Sequence, residues 1–328
     1  MLRHRNEFPV EGELPGFNGA TAWLNTGPLT AAGLRGRVVL ISFGTYTCIN
    51  WIRSLPYVRA WADKYADQGL TVVGVQTPEF DFEGDLDNVG RAIEEMDVRY
   101  PVVVDNDYAI WRAFDNHYWP ALYFVDAHGR IRHHHFGEGE YEESEMVLQM
   151  LLREADVDVE QGLVRIEPDG VEAAADWTSL GSPESYVGYG RAVGFASPGG
   201  VVPNERHVYS APAELRRNHW ALSGDWAIGL VAVHLNEPGG FVSYQFHARD
   251  LHLVMGPPTG RPPVRVRVRL DGESPGRAHG VDVDERGNST ADYQRMYQLI
   301  RQPSPIGDRL FEIEFLDAGA EAFVFTFG

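Results

Sequence analysis

The chain has 328 residues, 44% hydrophobic and 12% aromatic, enough to build packed cores and long enough for two domains. Its formal net charge of −19 opposes nucleic-acid backbones and anionic membrane surfaces, and no apolar run approaches the length of a membrane span. One cysteine, Cys48, excludes an intrachain disulfide framework.

The opening MLRHRNEFPVEGELPGF holds no apolar stretch long enough for a secretory leader, so a cytoplasmic location is expected. Val38–Phe43 is a β-rich apolar run and reads as a buried strand, followed by a short polar turn. Cys48–Tyr65 then carries Ile52, Leu55, Val58, Trp61 and Tyr65 at helical spacing. Leu70–Gln76 is a second strand, Asp85–Met96 a helix capped by Asp85, and Pro101–Val104 a third strand. A helical turn covers Asp107–Phe114. Ala121–Val125 and Ile131–Phe136 flank an Ala-His-Gly-Arg turn as a hairpin, and Glu142–Leu152 is a closing helix. Strands alternating with helices and ending in hairpin and helix imply a mixed sheet covered by helices. The grammar then changes. Residues 1–155 form the first domain, 156–183 read as a linker with Glu-Pro-Asp-Gly and Gly-Ser-Pro, and 184–328 form the second. That second domain shows short alternating strands at Trp226–Leu235, Gly240–Ala248, Leu251–Met255, Val264–Leu270, Gly280–Val283, Arg309–Leu316 and Ala322–Phe327. Such spacing points to a β-sandwich or jelly roll.

Chemistry centres on Cys48. A thiol at a helix N-terminus faces backbone N–H groups that favour thiolate over thiol. Thr47 reads as the N-cap of that helix, and Pro56 as a residue that kinks it or limits its first segment. Trp51 stands where a Cys-x-x-Cys pair carries its second sulfur, and one thiol cannot close a disulfide on itself. Trp119-Pro120 directly precedes the strand Ala121–Val125; a cis bond there exposes a backbone edge to an extended thiol substrate.

The segments TYTCIN, LPYVRAWADKY, VQTPEF and DNDYAIWRAFDNHYWPALYFVDAHGRIRHHHFGEG make the stretch from about Leu14 to Leu152 resemble a thioredoxin-family redoxin. The similarity is to the soluble region of DipZ-type thiol:disulfide interchange proteins. These join a thioredoxin-like domain to a carbohydrate-binding-module-like β-sandwich, which NHWALSGDW, FHARDLHLVMGP, YQLIRQP and FEIEFLDAGAEAFVFTFG resemble. The resemblance implies an α/β thioredoxin-like domain followed by an all-β domain, Cys48 as the attacking sulfur, Pro120 as the cis-proline and a carbohydrate ligand for the second domain. The chain departs from the pattern at Trp51, at Gly44, where the family commonly has tryptophan, and in holding no counterpart of the family's membrane-embedded electron-import domain. Thr45 precedes Cys48 by three residues, as in peroxiredoxins, but Ile41 occupies the place of their upstream proline.

Weaker candidates surround this site. Glu138 in FGEG reads as a possible proton acceptor. His133 and His135 share one face of a strand while His134 points away, a poor metal-ligand set, so the run reads as a sheet edge. Asp105, Asp107 and Asp126 read as caps or turns. Trp220, Trp226, Tyr186 and Tyr189 suit either core packing or an aromatic sugar platform; Asp282, Asp284 and Asn288 suit a hairpin turn or a calcium loop. The functional expectation is a one-thiol oxidoreductase: Cys48 attacks a disulfide, persulfide or peroxide beside Thr47, Trp51, Trp119 and Pro120. A small or protein thiol regenerates it, without cofactor, nucleic acid or membrane. The alternative is a noncatalytic scaffold in which Cys48 is only a small buried hydrophobe.

Overall fold

The computed structural model describes residues 8–159 and 161–328, and the chain divides into two compact units, Met1–Glu172 and Ala173–Gly328. The stretch 156–183 with linker composition is therefore split between them. Its first part folds back on the first unit, where Val164 N donates to the Glu145 carboxylate (2.8 Å) and Arg59 pairs with Glu172 (2.7 Å).

The first unit contains β1 (Gly12–Glu13), β2 (Ala22–Leu24), β3 (Val38–Gly44), α1 (Ile49–Tyr65), β4 (Leu70–Gln76), α2 (Leu86–Glu95), β5 (Val102–Val104), α3 (Ala109–Ala113), β6 (Ala121–Val125), β7 (Arg130–Phe136) and α4 (Tyr141–Glu154). Seven strands form one mixed sheet in the order β1-β7-β6-β3-β4-β5-β2, with β3, β4 and β5 parallel and the remaining pairings antiparallel. Every residue of β3 is buried, as its apolar, β-branched sequence requires of a central strand. Alternation sends Val39, Ile41 and Phe43 to one face, where they pack with Val73, Val75, Tyr123, Ile110 and Phe114. α1 continues through Pro56 rather than ending there. Asp85 caps α2 through Asp87 N and Asn88 N.

The second unit is all β: β8 (Ser185–Tyr186), β9 (Arg206–Tyr209), β10 (Trp220–Ile228), β11 (Val233–Leu235), β12 (Gly240–His247), β13 (Asp250–Gly256), β14 (Val264–Leu270), β15 (Asn288–Ala291), β16 (Arg295–Arg301), β17 (Asp308–Phe315) and β18 (Glu321–Phe327). They form one curled sheet running β15-β14-β17-β12-β10-β11-β18-β13-β16, with β8 on β18 and β9 on β10. The curl turns on β10, whose first half (Trp220–Ser223) pairs with β12 and whose second half pairs with β9 and β11. Gly224 at the changeover has φ of +99°, and a Cβ there would lie 2.9 Å from Gly240 Cα, so only glycine fits. Two sequence expectations are corrected here. Trp226–Leu235 is two strands joined by a turn, because the exposed apolar pair Leu230 and Val231 disguises the turn as strand. Gly280–Val283 is a turn, fixed by hydrogen bonds from Gly280 N to Leu299 O and from Val283 N to Gly280 O. Arg265 and Arg267 lie on the exposed side of β14 while Val264, Val266 and Val268 are buried.

Candidate functional site

Cys48 occupies the turn between β3 and α1. It is itself the N-cap of α1 (φ −77°, ψ 111°), with its N–H donating to Thr45 O at 3.0 Å and its carbonyl accepting from Ile52 N at 3.0 Å. Thr47 is not the cap; its hydroxyl is directed elsewhere, to the carboxyl of Glu83. The sulfur is half-buried and lies 3.9 Å from the carbonyl oxygen of Trp119. Trp119-Pro120 is cis. Several bonds hold this loop against the thiol. The Trp119 indole donates to Thr77 O (3.1 Å), Thr77 N donates to Gly44 O (3.1 Å), and the Thr77 hydroxyl reaches Asp105 (3.3 Å). Asp105 in turn accepts from Ile110 N and Trp111 N at the start of α3. Tyr118 and Phe136 lie exposed next to the loop with ring centroids 4.9 Å apart.

Trp51 sits one turn into α1, 4% exposed, its Nε1 without a hydrogen-bond partner among the described residues. Its indole fills the space over Gly44, where a Cβ would come within 2.2 Å of the ring. The position that would bring a second sulfur to Cys48 is thus closed by an indole, and glycine at 44 makes room for it.

Glu138 lies between Gly137 (φ +87°) and Gly139 (φ +103°), a backbone that turns its side chain inward. The carboxylate meets Arg53 of α1 at 3.1 Å in a nearly dry site. Burial pushes its proton affinity up, and the guanidinium opposes that shift. Glu138 is therefore engaged by Arg53. The carboxyl tied to the cysteine turn is Glu83, a residue the sequence reading passed over. It is fully buried, accepts from the Thr47 hydroxyl, and takes bonds from Glu79 N (2.5 Å) and Phe80 N (2.8 Å). Burial raises its pKa to about 7 against the pull of these donors. A glutamate directly after an apolar Phe-Asp-Phe run was the available signal.

The remaining candidates fall apart as a site. His133 packs on Phe8 and Phe124, His134 bonds Glu11 (2.7 Å) and His135 pairs with Glu140 (3.3 Å). No group of three or more metal-ligating side chains occurs among the described residues. Asp126 organises the β6–β7 turn through His128 N and Arg130 N. Trp220 and Trp226 are core residues of the second unit, which leaves them no role in a sugar platform; Tyr186 lies under Arg191 and Tyr189 accepts from Asn204. Asp284 closes a hairpin turn onto Arg286 N and Asn288 N, while Asp282 pairs with Arg295.

Residues 10–134 match the AhpC/TSA family and residues 182–328 the thioredoxin-like C-terminal domain family. Protein DipZ of Mycobacterium tuberculosis is 38% identical over 250 residues, 75% of this chain; the chain spans 35% of that protein's length. The thiol-disulfide oxidoreductase YkuV of Bacillus subtilis is 37% identical over 125 residues, 38% of this chain and 83% of that protein. A solved thioredoxin-like protein in the oxidised form is 33% identical, covering 44% of this chain and 96% of its own, with a TM-score of 0.41. Since the chain is 37% identical to YkuV and covers 83% of its length, it belongs to the thioredoxin-like family of thiol-disulfide oxidoreductases.

Proposed function

We propose that the protein is a single-thiol oxidoreductase in which Cys48 is the nucleophile and an outside thiol completes each turnover. The observation that carries this reading is the pairing of a half-buried sulfur at the N-terminus of α1 with an indole, Trp51, in the place of a resolving sulfur. The Cys48 thiolate attacks one sulfur of a substrate disulfide, the S–S bond breaks, and the leaving thiolate takes a proton. The mixed disulfide on Cys48 is then attacked by the second thiol at the substrate-derived sulfur, which returns Cys48 as thiolate and carries the disulfide away. Among disulfides, persulfides and peroxides, a disulfide fits best, because the Trp119 carbonyl beside the sulfur, on the cis Trp119-Pro120 step, offers a backbone edge to an extended chain.

The test is mass spectrometry of the intact protein after treatment with a low-molecular-weight disulfide and then with a monothiol. The expected sequence is one adduct on Cys48 followed by its complete removal, with no adduct on Cys48→Ser. A scaffold reading draws support from the closed space over Gly44 and expects no adduct at all.

A further inference from the structure

We propose that the all-β unit holds a binding site for a primary alkylammonium group, in a cleft on the outer face of β12 and β17. Strand alternation sends Val242, Tyr244 and Phe246 of β12 into the core, and so turns Ser243 and Gln245 to the opposite face. On β17 the same alternation buries Phe311 and Ile313 and turns Leu310 and Glu312 outward. The register pairs Ser243 with Glu312 and Gln245 with Leu310. The serine and the carboxylate are therefore direct cross-strand neighbours, with about 5 Å between Cβ atoms. On its other side Ser243 faces Ala221 of β10, a side chain too small to crowd the hydroxyl. The segment 211–219 borders these residues and is fastened at both ends, by Ala211 N to Ser223 Oγ (3.0 Å) and by Asn218 N to Gln245 O (2.7 Å). Between the fastenings, Glu214 and Leu215 help to wall a cleft of about 380 Å³ that is also lined by Ser243, Gln245, Leu310 and Glu312.

What points to a ligand is the unused hydrogen-bonding capacity of this lining. Ser243 is only 5% exposed, yet its hydroxyl makes no hydrogen bond among the described residues, whereas a polar group so buried is normally paired within the protein. The Gln245 amide is likewise without a partner among them, and neither Glu214 nor Glu312 has an ion pair there. The nearby arginines are engaged elsewhere. Arg269, the register partner of Glu312 on β14, pairs with Glu314 (3.4 Å), Arg217 with Asp308 (3.0 Å) and Arg309 with Asp271 (2.5 Å), while Arg216 is exposed and does not line the cleft. The lining thus carries the carboxylates of Glu214 and Glu312 and no cation. A primary ammonium has three N–H donors and no acceptor. The Glu312 carboxylate, the Ser243 hydroxyl oxygen and the Gln245 amide oxygen offer acceptors for all of them on one sheet face. Leu215 and Leu310 supply apolar contact for the alkyl stem.

The experiment is calorimetric titration of the full chain with n-pentylamine hydrochloride, with its neutral counterpart 1-pentanol, and with Nα-acetyl-lysine N-methylamide. Pentylamine should bind saturably, one per chain, and pentanol about tenfold more weakly or worse. Glu312→Gln should weaken pentylamine binding about tenfold or more, and Ser243→Ala roughly three- to tenfold. Ser243→Ala should also leave the thermal midpoint unchanged, because the hydroxyl has no protein partner to lose; a serine that serves the fold would lower it and leave affinity unchanged. Glu273→Gln, at an exposed position in the same unit, removes an equal charge and should not alter affinity, which separates the cleft from the general attraction of a chain of charge −19. Equal affinity for the lysine derivative assigns the site to lysine side chains of a polypeptide, and its exclusion assigns it to free amines; either result supports the site. If Glu312→Gln fails to fold, Glu214→Gln and Ser243→Ala carry the test. The inference is overturned by no saturable binding of pentylamine, by equal binding of pentanol, or by affinity that Ser243→Ala and the carboxylate variants leave unchanged.

Discussion

A fully buried carboxyl without a cation must exchange a proton between the folded and unfolded chain as pH changes. Glu83 has a folded-state pKa of about 7 against 4.5 for the exposed group, so the native state binds the extra proton between these values. The contribution to stability is present below about pH 4.5 and is lost as pH rises through about 7. Over that window the difference in unfolding free energy between wild type and Glu83→Gln should change by about 3 kcal/mol, read from urea denaturation at each pH. A constant difference would show that Glu83 does not titrate there. At the same scale, Cys48 and Trp119-Pro120 were legible in the sequence because each announces itself locally, by a unique residue type or an X-Pro step before a strand. Glu83 was not, since it meets Thr47 across 36 positions and lies on a turn whose path only the folded sheet defines.

At the scale of elements, α1 is fastened by two contacts that respond differently to mutation. Gly44→Ala drives a methyl into the Trp51 ring from the end of β3, where the ring is buried and cannot swing clear. Overpacking of this kind costs about 1–3 kcal/mol in unfolding free energy, and truncating Trp51 in the same chain should recover part of it. The Arg53–Glu138 pair ties α1 to the loop after β7. Arg53→Met strands a buried carboxylate and should cost about 3–5 kcal/mol, whereas Arg53→Met with Glu138→Met should return most of that loss. Equal losses in the single and double variants would mean that packing of the arginine stem, not the charge pair, holds the loop. Elements with simple periodicity were readable: β4 and β6 fall at the expected residues. β16 was missed because its buried face includes Gln298 and its ends are arginines, so its polar residues mask the strand pattern.

For the whole molecule, the change from helix-strand alternation to short strands correctly separated an α/β unit from an all-β one. The curl of the second sheet was beyond the sequence, because it depends on one strand exchanging partners at Gly224. The overall charge of −19 has its own consequence. A cationic disulfide should react with Cys48 faster than an anionic one of equal size, and added salt should narrow the gap, because screening shortens the reach of the field. Equal rates at low salt would place Cys48 outside that field.

The most direct measurement is the intact mass of the full chain through one cycle with a small disulfide and then a monothiol. A single adduct that maps to Cys48 and is then fully released is the predicted result. A chain whose mass never changes, with Cys48 unreacted under native conditions and reactive only after unfolding, would contradict it.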